Sequence, residues 1–136
     1  MRPTLVQRAA MLFGVVFLLV GIAGFFVDGG TGMEADPETA GHLLGLFPVN
    51  LLHNIVHLLF GLWGLAASRG HSASVGFHRA GALIYVLLTV LGFVAPDGFG
   101  LVPLGDNDIW LHAVLALAMA YFGFMHRDRV VDTARV

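Results

Sequence analysis

The sequence predicts an all-α fold, an integral membrane four-helix bundle built as a tandem duplication of a helical hairpin. Three observations predict it. Four long apolar segments alternate with short polar stretches. All seven arginines fall on one set of those stretches and seven of the nine acids on the other. The second and fourth segments are introduced by matching motifs. The composition agrees: 57 % of the 136 residues are hydrophobic and 12 % charged, with a mean hydropathy of +0.83, whereas a soluble domain carries about a quarter charged residues. A hydrocarbon core about 30 Å thick takes roughly 20 apolar residues per helix. On that measure the spans are 9–27, 48–67, 76–95 and 108–125, a single transmembrane domain over residues 1–136.

The first segment, Ala9 to Val27, is apolar on every face and closes at Asp28-Gly29-Gly30. Arg2 and Arg8 before it resemble the charged flank of a signal peptide. Its 19 uncharged residues exceed a signal core of about 7–15, and Gly24-Phe25-Phe26-Val27 is a poor cleavage site, so it is read as an uncleaved span. Pro48 is expected in the first turn of the second helix, where proline is tolerated. Ser68-Arg69-Gly70-His71-Ser72 reads as a polar turn, and the third segment stops at Pro96-Asp97-Gly98. Any of Asp106-Asn107-Asp108 can cap the fourth helix, which ends at Met125. His42, His71, His78 and His126 are read as loop or helix-end residues that need no role.

Orientation follows from the arginines. Arg2, Arg8, Arg69, Arg79, Arg127, Arg129 and Arg135 share one side if the chain starts inside, while the two opposite loops hold seven acids and no Lys or Arg. The positive-inside rule then predicts cytoplasmic termini. Cysteine is absent, which excludes disulfides, thiolate zinc sites, iron–sulfur clusters and haem attached through Cys-x-x-Cys-His. No nucleotide-binding glycine loop or Ser/His/Asp pattern is present, and the net charge of −2 argues against a nucleic-acid partner.

The candidate site lies in the duplicated stretch. Gly45-Leu46-Phe47-Pro48 matches Gly100-Leu101-Val102-Pro103, and the same offset sets His53 on Asp108 and His57 on His112. Ionisable side chains in membrane spans are costly and mark function by default. His53 and His57 share one helix face, Asp108 and His112 another, because residues four apart stand one above the other. If the faces of helices two and four meet through their outer halves, three imidazoles and a carboxylate converge. That donor set suits one zinc, iron, copper or nickel ion, with Asn50, Asn54 and Asp106 as partners that fix the imidazole tautomers. Haem b between His57 and His112 is an alternative cofactor. The competing reading is a His/Asn/Asp hydrogen-bonded lock between the halves, since such residues bond across membrane helices.

The run Leu46-Phe47-Pro48-Val49-Asn50-Leu51-Leu52-His53-Asn54-Ile55-Val56-His57 continues through Gly61 and Gly64, and Asp108-Ile109-Trp110-Leu111-His112 follows later. In these motifs, over roughly residues 5–125, the chain resembles a bacterial family of small four-span membrane proteins catalogued as a domain of unknown function. The resemblance implies the membrane fold and a bacterial inner (plasma) membrane, and no activity. Three functional classes therefore stand side by side. One is a bundle whose polar network binds a metal. Another is a metal- or haem-dependent enzyme acting near the outer leaflet. The third is an accessory subunit of a larger membrane complex, or a homo-oligomer. A transporter ranks last, because helices one and three carry no charge in their apolar cores.

Overall fold

The computed structural model of the chain describes residues 2–127. Four α-helices account for most of them: α1 Leu5–Gly24, α2 Leu51–Ala67, α3 His71–Val94 and α4 Asn107–Ala120, the last running on into a π-helical turn, Tyr121–Met125. The all-α prediction holds, and the helices pack as in a bundle, α1 chiefly against α2 and α3 chiefly against α4. The expected close pairing of α2 with α4 is not how the backbones pack. These two helices meet through side chains at one end.

Local chemistry shifts the starts of α1, α2 and α3 from the expected bounds, while α4 begins where expected, at Asn107. At α1 a capping box sets the first turn: the Gln7 amide donates to the Thr4 hydroxyl at 3.3 Å, and the Thr4 amide donates to Gln7 Oε1 at 3.0 Å. The helix therefore begins at Leu5 rather than at residue 9. Before α2, Pro48 does not enter the helix. It pairs with His42 in a small antiparallel hairpin of β1, Gly41–Leu43, and β2, Phe47–Val49. Asn50 caps α2 instead, accepting the His53 amide at 2.9 Å. The α2–α3 connection is shorter than expected, because α3 begins at His71, with the Ser74 hydroxyl donating to the carbonyls of Ala67 and Gly70. Asp106 precedes α4 with φ at 58° and makes no side-chain cap bond.

Three helical stretches are long and apolar enough to cross a membrane: α1 with 20 residues, α3 with 24, and Asn107–Met125 with 19. The apolar helix α2 is shorter at 17 residues, about 25 Å at 1.5 Å per residue. Large apolar side chains face outward along the bundle, Leu83 at 66 % and Leu117 at 73 % exposed, as expected of helices solvated by lipid tails.

The charges separate by end. One end joins the start of α1 to the α2–α3 turn through the Gln7 side-chain amide, which donates to the Ser68 carbonyl at 3.0 Å. There Arg79 Nε also donates to the Gly123 carbonyl at 2.7 Å. Arg2, Arg8, Arg69, Arg79 and Arg127 belong to this end, while Arg129 and Arg135 lie outside the described residues. The other end gathers the acidic loops, tied together where Asn50 Nδ2 donates to the Leu101 carbonyl at 2.8 Å and Asn107 Nδ2 to the Leu46 carbonyl at 3.1 Å.

Candidate metal centre

The acidic end of the bundle buries polar side chains that a membrane protein would ordinarily keep out of its core. His53, His57, Asp108 and His112 are all buried. The Asn50 cap and the helical repeat carry His53 and His57 inward along α2, and the first turns of α4 carry Asp108 and His112. The rings of His53 and His57 have centroids 4.5 Å apart, and those of His53 and His112 are 6.1 Å apart. All four predicted residues thus lie in one neighbourhood.

Within it a tighter group forms. One ligand atom each from His53, Asp108 and His112 can be chosen so that all lie within 4.8 Å of one another. His53 Nδ1 and Asp108 Oδ2 are 3.7 Å apart, too far for a hydrogen bond. Among the described residues neither atom has a hydrogen-bond partner, and neither do the Nδ1 atoms of His57 and His112. A buried polar atom left unpaired costs about 1–3 kcal/mol; four lie together here, and among the described residues Asn54 Oδ1 and His78 Nδ1 are unpaired as well. His57 stands beside the three-residue group, its ring stacked at 6.0 Å on Phe17.

The expected tautomer-fixing partners are engaged elsewhere. Asn50 holds the start of α2 and the Leu101 carbonyl. Asn54 Nδ2 donates to the Gly30 carbonyl at 2.9 Å. Asp106 is exposed at the helix start.

A cavity of about 150 Å³ opens beside the group, lined by His53, His57, Tyr85 and His112 and walled by apolar residues that include Phe60 and Leu104. Cofactor pockets typically measure about 300–1,000 Å³. Haem b between His57 and His112 therefore does not fit, whereas a metal ion with one or a few small ligands does.

Two residues enter this picture that the sequence did not single out for it. Tyr85 of α3 lies 5.3 Å from the His112 ring and stacks nearly parallel on Phe17 at 5.9 Å. Its spacing along an apolar helix carried no signal. His78, read as a helix-end residue, is fully buried, with Nε2 3.3 Å from the Val6 carbonyl and its ring against Phe13, Phe77 and Phe122. The early start of α3 explains this, since it sets His78 two turns inside the helix.

A family model described as "Domain of unknown function (DUF4383)" matches residues 7–125. No curated protein and no solved structure matched the chain.

Proposed function

The chain belongs to the DUF4383 family, a domain of unknown function, and we propose that it is a four-span membrane protein whose bundle holds one transition-metal ion between His53, Asp108 and His112. In this reading residues 1–136 form a single transmembrane domain in a bacterial plasma membrane. Both termini are cytoplasmic, and α2 completes its crossing with the residues of β2. The two helical hairpins descend from one duplicated unit, a view supported by the parallel siting of His53 and His57 on α2 and Asp108 and His112 on α4.

The observation that carries the metal reading is the unpaired couple of His53 Nδ1 and Asp108 Oδ2, buried 3.7 Å apart with His112 completing the group. Donors bound tetrahedrally at about 2.0–2.1 Å from zinc lie about 3.4 Å apart. The His53–Asp108 pair is near that separation, and the third donor, within 4.8 Å of the others, closes to it by a movement of up to about 1.4 Å. Three protein donors are the pattern of an ion that keeps an open coordination position, and the cavity beside the group, lined by His53 and His112, has room for a small ligand. Such an ion, when bound, would acidify a water or polarise a small oxygen ligand, with His57 on the wall of the same cavity.

The rival occupant is water, which would make the same atoms a hydrogen-bonded lock. At roughly 30 Å³ per molecule the cavity has room for several waters. Purification in detergent without chelator, followed by elemental analysis, separates the two. The metal reading expects about one zinc, iron, copper or nickel per chain, lost in Asp108→Ala and in His112→Ala. A folded protein that contains none of these metals and takes up none on dialysis against them overturns it in favour of the lock.

A further inference from the structure

At the opposite end of the bundle a second pocket, about 480 Å³, lies between the first three turns of α3 and the π-helical end of α4. We propose that it binds the phosphate of an anionic phospholipid. Its charged lining is Arg79 and Arg127, joined by the Ser72 hydroxyl and by His71 and His126. Among the described residues neither arginine has a carboxylate partner, and every described acid belongs to the other end. Asp128 and Asp132 lie outside the described residues.

Arg79 is held in place before any ligand arrives. Its Nε donates to the Gly123 carbonyl at 2.7 Å, and its guanidinium carbon stands 5.3 Å over the Phe124 ring. The π-helical turn sets up that contact by bringing Gly123 against α3, where an added methyl would meet the Arg79 amide nitrogen at 2.8 Å. A guanidinium fixed through Nε keeps its four Nη hydrogens for a forked contact, the geometry that suits phosphate oxygens. The first turn of α3 carries no side-chain cap at Gly70, so its partial positive charge adds to the field.

A lipid source is favoured over free phosphate by what surrounds the pocket. Phe124 on its wall is 53 % exposed and the adjoining Met125 73 %, so an acyl chain can run along apolar surface while the headgroup sits among the arginines. Basic pockets between membrane helices on the cytoplasmic side are suited to anionic headgroups. This inference rests on the membrane reading of the chain and is independent of the metal.

The test uses the full-length protein in detergent, titrated with phosphatidylglycerol or phosphatidylcholine and read by native mass spectrometry, with inorganic phosphate in a parallel arm. The expected result is preferential retention of phosphatidylglycerol, weakened about fivefold by Arg127→Gln, one basic residue near the surface being worth about that factor. Arg79→Gln should weaken it at least as much. Ser72→Asp sets a carboxylate in the pocket without touching the Arg79–Gly123 bond, and should remove the preference even if Arg79→Gln folds poorly. Arg8→Gln, at the same end but outside the pocket, should keep it. Equal retention of the two lipids, an unchanged preference in Ser72→Asp, or an equal loss in Arg8→Gln would overturn the proposal. Displacement of the lipid by millimolar inorganic phosphate would reassign the site to a soluble anion.

Discussion

Gly14 and Gly64 stand back to back where α1 crosses α2: a methyl built on Gly64 would meet the Gly14 Cα at 2.9 Å, and one on Gly14 would meet the Leu65 amide nitrogen at 2.7 Å. Both obstacles are backbone, which cannot rotate aside. Small residues at such crossings let membrane helices touch through their main chains, and here the contact fixes the helix that carries His53 and His57.

Gly14→Ala should therefore destabilise the bundle by about 1–3 kcal/mol, the usual cost of overpacking. Gly76, in the second turn of α3, offers open space instead, with no atom within 4 Å of the point where an added methyl would stand. Gly76→Ala should be neutral or stabilising by up to about 1 kcal/mol, because alanine is the better helix former. Thermal unfolding in detergent micelles reads both. A Gly14→Ala protein as stable as the parent would refute the close crossing.

The histidines should divide by role. His53, Asp108 and His112 form the mutually close group, with His57 beside it. His112→Ala should abolish stoichiometric metal, whereas His57→Ala should retain it with affinity reduced by less than about tenfold, the low end for residues that support a ligand. Competition titration against a chromophoric chelator measures the difference. Equal loss in both variants would make His57 a fourth ligand.

Much of this was legible in the sequence because hydropathy and charge act over whole segments. The helical class and the gathering of His53, His57, Asp108 and His112 all came from patterns repeated along the chain. What escaped was decided by single contacts. Thr4 and Gln7 start α1 early through two hydrogen bonds, and Asn50 takes the cap position, leaving Pro48 to the hairpin. His78 looked like a helix-end residue because the expected span begins only two residues before it, yet α3 starts at His71 and turns it into the core. Tyr85 reached the site only through the placement of α3, which no local pattern encodes.

The proposed topology rests on the separation of arginines and acids between the two ends. Thr31 and Ser72 are both exposed, one in the acidic loop before α2 and the other in the first turn of α3. Cysteines introduced there should react differently with an impermeant thiol reagent applied to intact cells, Thr31→Cys labelled and Ser72→Cys protected until the cells are opened. Labelling of Ser72→Cys alone would invert the orientation, and labelling of both would deny that the segments between them cross the membrane.

Asn50 and Asn54 provide the sharpest separation of stability from site. Both are fully buried one helical turn apart, and both bond to loop carbonyls. Asn50 caps α2 at the His53 amide and ties down Leu101, next to Val102 and near Leu104 in the cavity wall. Asn54 ties α2 to Gly30, in the loop after α1 and away from that wall. Asn50→Ala should cost about 1–2 kcal/mol through the lost cap and also loosen metal binding by roughly tenfold, because the first turn carrying His53 is released. Asn54→Ala should cost about 1–3 kcal/mol through a lost buried hydrogen bond while leaving metal affinity near that of the parent. Paired measurements of unfolding and metal affinity on the two variants distinguish these effects. If Asn54→Ala weakens the metal more than Asn50→Ala does, the cap is not what positions His53.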